Sequence, residues 1–85
     1  MNVIEHDSSA QRFSAHVDGQ RAILDYNLSQ GIMTITHTGV PRAIGGRGIA
    51  AELMRAALSA AHDAGWTVNP VCSYAVAYMR KHSLI

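Results

Sequence analysis

One cysteine, two prolines and few charges stand out in this sequence of 85 residues. Cys72 has no second cysteine to pair with, so no internal disulfide can staple the chain. No apolar run approaches the length of a membrane span. No signal segment is visible at Met1-Asn2-Val3-Ile4-Glu5-His6-Asp7. The expectation is a soluble, cytoplasmic protein. Charged residues make up 15% of the chain and the formal net charge is +1, which argues against a dedicated nucleic-acid surface. His6, His16 and His62 are scattered, without metal-ligand spacing. Repeats, linkers and low-complexity stretches are absent too.

What is present suits one folded domain spanning 1–85, since domains usually hold roughly 50–250 residues. The apolar fraction is 48%, enough for a core, and much of it is alanine, so the core is expected to be closely spaced. A chain this short buries only about 60% of its unfolded surface. Residues 1–10 are polar and read as a frayed end. From Gln11 to Val17, Phe13, Ala15 and Val17 alternate with Arg12, Ser14 and His16, the pattern of a half-buried strand. Asp18-Gly19 is a tight-turn signal. Gln20 to Ser29 alternates again, with Ala22, Leu24, Tyr26 and Leu28 on one face. After Gln30-Gly31, a β-branched run from Ile32 to Val40 reads as a third strand, ended by Pro41. These three runs predict an antiparallel meander.

A long helix is predicted from about Gly46 to Ala64, with Ile49, Ala50, Leu53, Met54, Ala57, Leu58, Ala61 and Ala64 on its apolar face. Gly65 is placed to end it. Trp66 to Val71 reads as a short strand broken by Pro70, and Ser73 as the cap of a second helix over Tyr74 to His82.

Between the meander and the long helix lies Val40-Pro41-Arg42-Ala43-Ile44-Gly45-Gly46-Arg47-Gly48-Ile49-Ala50. A glycine-rich helix start leaves backbone N–H groups free, and the helix dipole favours an anion there. From Pro41 onward Arg42, Arg47, Arg55, Arg80 and Lys81 outnumber Glu52 and Asp63, a balance that suits a small polyanion. A P-loop is excluded because the stretch has no lysine. A dinucleotide fingerprint is met formally by Gly46, Gly48 and Ala51. It would need an acidic residue about 20 positions on. That region holds Val71 and Cys72 instead.

The stretch resembles the R/Q-x-x-G-x-G/A loop of the GNAT acetyltransferases, with Gly48 and Ala50 at the second and third motif positions. Gly45 stands where that family has Arg or Gln, a departure. Ile35-Thr36-His37-Thr38-Gly39-Val40-Pro41, Asn69-Pro70-Val71-Cys72-Ser73-Tyr74 and Tyr78-Met79-Arg80-Lys81-His82 extend the resemblance to its smallest members, over about residues 11–82. The resemblance implies an α+β fold. It would have a mainly antiparallel sheet, a long helix, a strand returning parallel to the third, and a short C-terminal helix.

It also implies acetyl transfer from acetyl-CoA to an amine, with the amides from about Gly46 to Ala50 on the pyrophosphate. Val40, Gly45, Arg47, Ile49, Cys72, Ser73, Tyr78, Arg80 and Lys81 complete the expected CoA contacts. The pantetheine arm is expected near Val68 to Val71, with the thioester arriving at Cys72. A helix start favours the thiolate of a nearby cysteine, so Cys72 is a candidate nucleophile. Lining the site, or packing as an inert small residue, are the other readings. His37 is a candidate general base or a polar strand residue. Tyr78 falls near the tyrosine that often protonates the departing thiolate in that superfamily, or simply packs. Two functions stay open: an amine acetyltransferase whose acceptor, on a protein or free, is unidentified, and a CoA-binding module without efficient transfer.

Overall fold

The computed structural model describes residues 2–85. Its strands lie in one sheet in chain order: β1 (Glu5–Asp7), β2 (Arg12–Val17), β3 (Gln20–Ser29), β4 (Ile32–Gly39) and β5 (Thr67–Pro70). β1 to β4 are antiparallel neighbours, whereas β5 runs parallel to β4. Parallel neighbours need a crossover. Here a short 3₁₀ turn, Arg42–Ile44, and helix α1, Ile49–Ala64, supply it. Helix α2, Ser73–Lys81, follows β5. This is the expected α+β fold with one strand more.

The extra strand is β1. Residues 1–10 were expected to fray, but Glu5, His6 and Asp7 pair with Ser14, Phe13 and Arg12. A polar edge strand carries no apolar alternation, so hydropathy does not reveal it. Its anchor is an aromatic contact: the His6 ring stacks on Phe13 at 4.0 Å and shares a 2.7 Å hydrogen bond with the Tyr26 hydroxyl. The hairpin turns behave as read. Asp18-Gly19 has φ of 50° and 73°, Gln30-Gly31 52° and 75°, the both-positive pair of a two-residue hairpin loop.

One face of the sheet presents Phe13, Ala15, Ala22, Leu24, Tyr26, Met33 and Ile35 to the core. Ile49, Leu53, Met54, Ala57 and Ala61 of α1 cover them, with Ala75 and Met79 of α2 and Ile44 of the 3₁₀ turn. The directly paired Ala15 and Ala22 keep the surface under α1 low.

α1 begins at Ile49 rather than near Gly46, because Gly46 and Gly48 have φ of 77° and 75°, outside helical space. It ends as expected at Gly65: Trp66 N donates to Ala61 O at 2.8 Å and Gly65 N to His62 O at 3.2 Å.

A bulge in β4 decides which side chains reach which face. Ile35 pairs with Tyr26 and His37 with Asp25, so Thr36 is an extra residue. Its hydroxyl donates to the Asp25 carbonyl at 3.3 Å. Past the bulge, Thr38 lies opposite Leu24 on the helix-covered face, while His37 lies opposite Asp25 on the other.

Candidate active site

β4 and β5 part company at a defined point. Their pairing runs from Ile32↔Thr67 to Ile35↔Pro70. The Ile35 carbonyl then accepts from both Val71 N at 3.0 Å and Cys72 N at 3.1 Å. Beyond this fork His37 to Gly39 pair only with β3. The divergence therefore frees an edge on β4, in addition to the outer edge of β5, the last strand of the sheet, where the sequence places the pantetheine near Val68 to Val71. Val68 and Asn69 pair with Met33 and Thr34 on the β4 side only.

The glycine loop lies early in the crossover that leaves β4, between the 3₁₀ turn and α1. Gly45 is extended and donates to Arg42 O at 3.1 Å. A Cβ at Gly46 or Gly48 would meet nothing within 4 Å, so the space over both is open. Gly48 is the N-cap of α1 and offers no side chain to cap it. Among the described residues, the amides of Gly46, Arg47, Gly48, Ile49, Ala50 and Ala51 have no acceptor. Free donors, a helix dipole and absent side chains together suit an oxyanion with more than one oxygen. Arg47 is exposed, and its Nη1 donates to Asp18 Oδ2 at 2.6 Å.

Cys72 occupies the N-cap of α2, where Ser73 was expected. Its backbone is extended and its Sγ accepts from Ala75 N at 3.4 Å, the bond a serine cap would make. Ser73 is instead the exposed first residue of the helix. The Thr38 hydroxyl lies 3.5 Å from the same sulfur. Thr38 reaches it only because the bulge turns it to the helix-covered face.

His37 lies on the opposite face of β4, exposed, and no hydrogen bond joins it to Cys72 among the described residues. Its Nε2 sits 3.0 Å from where a Cβ on Gly39 would be, so the missing side chain leaves room for the ring. Arg12 grips the neighbouring Asp25 through Nε at 2.6 Å and Nη2 at 3.2 Å. That grip holds the Asp25 carboxyl below its usual range, against an opposing effect of burial.

A family model described as GCN5-related N-acetyl-transferase matches residues 12–84. The chain belongs to this family. Protein NATD1 of Mus musculus is 34% identical over 84 residues, covering 95% of this chain and 76% of its own length. Protein NATD1 of Homo sapiens is 33% identical, covering 95% and 74%. The NMR solution structure of a GCN5-like protein from Staphylococcus aureus superposes with a TM-score of 0.75, covering 94% of this chain and 79% of that one. Its 24% identity shows the fold alone.

Within this GCN5-related fold the remaining expected residues are spread along α2 and the loop. Tyr78 is half-buried between Tyr74, with ring centroids 6.2 Å apart, and His82, at 4.3 Å. Burial raises the pKa of Tyr74, the first ring of that row. Arg80 and Lys81 are exposed in the last turn of α2, at the far end from Cys72, where a cation also complements the helix dipole. Val40 is half-buried against the core between the end of β4 and Pro41. A cavity of about 240 Å³ lies among Asn2, Ile4, Glu52, Arg55 and Ala56 and includes none of the expected site residues. The described residues hold no cluster of metal-ligating side chains.

The sequence reading missed Thr38, Asp18 and Gly39. Only the bulge puts Thr38 beside Cys72, and only the tertiary fold brings Asp18 to Arg47. For Gly39 the signal was present, since a glycine inside a β-branched run marks a bulge or a close approach.

Proposed function

We propose that this protein transfers an acetyl group from acetyl-CoA to an amine. Membership in the GCN5-related family supports the reaction class. The observation that carries the donor is the uncapped glycine start of α1, whose backbone amides are free. Amides of Gly46 to Ala50 hold the pyrophosphate, with Val40 and Gly45 shaping the loop. Arg47, Arg80 and Lys81 supply positive charge, as guanidinium and ammonium groups do for phosphate. The pantetheine arm bonds to the freed edge of β4, which brings the thioester to Cys72, Ser73 and Tyr78.

Acetyl-CoA supplies an activated carbonyl carbon with a thiolate leaving group. In direct transfer the amine nitrogen attacks that carbon and the C–S bond breaks. His37 accepts the proton lost by the amine, and Tyr78 gives a proton to the departing sulfur. Cys72 lines the site on this route. In the covalent route the Cys72 sulfur attacks first, CoA leaves with a proton, and the amine displaces the acetyl group from sulfur. His37 and Cys72 lie on opposite faces of β4, so His37 is not the base for the thiol.

The test is a melting curve with and without acetyl-CoA, then CoA release with a panel of amines, and intact mass after incubation. Stabilisation with amine-dependent CoA release supports the transferase. Stabilisation without release across the panel supports a CoA-binding module, a reading favoured by Gly45 at the motif's Arg/Gln position. No thermal shift at saturating acetyl-CoA overturns both.

A further inference from the structure

Arg47 is the cation inside the glycine loop, and its guanidinium already has an oxyanion partner. Nη1 donates to Asp18 Oδ2 at 2.6 Å, a contact between residues 29 positions apart that ties the loop to the β2–β3 turn. A carboxylate and a phosphate offer the same kind of acceptor to an arginine, so they compete for it. Both side chains are largely open to solvent, with 49% of Arg47 and 66% of Asp18 exposed, so an incoming ligand can reach the pair.

We infer that Asp18 is an intramolecular competitor for the phosphate oxygens of acetyl-CoA at Arg47 and thereby sets the affinity of the loop. This rests on the reading that the loop holds the pyrophosphate. The Asp18 carboxylate keeps the guanidinium turned to the β2–β3 turn while the loop is empty. A phosphate must displace it before Arg47 contributes to binding. Two effects then act in one direction on removing the carboxylate: the arginine is freed, and a negative charge near an anionic ligand disappears. Exposed pairs are weak, which bounds the gain to a few-fold.

The turn makes a clean test possible. Asp18 has φ of +50° and precedes Gly19 at +73°, a pair that Asn-Gly fits as well as Asp-Gly. Asp18→Asn therefore removes the charge and keeps the turn. Calorimetry with acetyl-CoA at about 0.1 M salt is run on the full chain, on D18N, on R47A and on the double variant. D18N is expected to tighten binding roughly threefold, and to gain less than half of that where Arg47 is absent.

Unchanged or weaker binding by D18N overturns the inference while leaving the loop reading intact. Equal tightening in the R47A background also overturns it, since Asp18 would then act by charge alone. If the unmodified chain binds no acetyl-CoA, the loop reading fails and the inference falls with it. The free protein gives an independent readout: the Arg47 Nε–H resonance should shift in D18N, and an unmoved resonance removes the pair itself.

Discussion

The two helices begin in opposite ways. α1 starts at a left-handed glycine that caps nothing, and its first amides are left free. α2 starts at Cys72, whose sulfur accepts from Ala75 N at 3.4 Å. The difference follows from how each helix is anchored. α1 has 16 residues, five of them buried: Ile49, Leu53, Met54, Ala57 and Ala61. α2 has nine, of which Ala75 and Met79 are buried. A cap stabilises a helix by roughly 0.5–2 kcal/mol. A long, well-packed helix can do without that, and its bare start stays available to a ligand. A short helix with two anchors is more dependent on its cap.

This comparison predicts that the largest loss of stability comes from the body of α1, not from either start. Leu53 is fully buried. Leu53→Ala should cost about 2–5 kcal/mol in chemical unfolding, the range for a buried leucine that leaves a cavity. A cost below the cap value would mean that packing does not hold α1 in place. Next comes a variant that gives α1 a charge where it has none. Gly48→Asp keeps a residue type that tolerates positive φ and puts a carboxylate at the anion position. Acetyl-CoA affinity should fall at least about tenfold, or ~1.4 kcal/mol. Gly48→Val should weaken it as well, with added backbone strain at φ of 75°. Undiminished affinity in a folded Gly48→Asp protein would move the phosphate site elsewhere.

At α2 the expected effect is smaller in stability and separable from chemistry. Cys72→Ala removes the cap and should cost about 0.5–2 kcal/mol. Cys72→Ser restores an oxygen acceptor and should recover most of it. If the covalent route operates, intact mass after incubation with acetyl-CoA shows an adduct in the native protein that an added amine discharges. The Ala variant then shows no adduct. Transfer at an undiminished rate in Cys72→Ala restricts the cysteine to lining and capping.

How far these features were legible in the sequence depends on whether the cause is local. Asp18-Gly19, Gln30-Gly31 and Gly65 dictate their own backbone, so turns and helix end could be read directly. The apolar period of α1 is equally local. The cap of α2 was misplaced by one residue because Ser73 is the stronger capping type, while Cys72 has the extended backbone and the sulfur at the right place. β1 was missed because its support, the stack of His6 on Phe13, comes from another strand. The bulge at Thr36 is set by pairing with β3, and it alone decides that Thr38 and not His37 faces Cys72. The glycine loop was legible as a helix start open to an anion. The Asp18 contact to Arg47 was not, since a turn and a loop 29 residues apart carry no shared pattern.

The smallest effect concerns charge in the first turn. α1 carries Glu52 there, whereas α2 has no acidic residue in its first turn. Glu52 accepts from the Asn2 backbone N–H and from Asn2 Nδ2, both at 2.8 Å. These bonds, the backbone one foremost, hold its carboxyl below the usual value of 4.5. A carboxyl depressed in the folded state stabilises the protein above its unfolded pKa, and that contribution disappears as pH falls through the folded value. The loss should therefore begin below about pH 4.5, the unfolded reference, and continue under it. Glu52→Gln cannot titrate, so its melting temperature should fall less than that of the native chain between pH 6 and pH 3. Asp25, also depressed by its hydrogen bond to Arg12, titrates in both proteins and cancels in the difference. Two parallel pH curves would mean that the Asn2 contact does not hold the carboxylate in solution. α1 would then begin without either a cap or a fixed charge beside it.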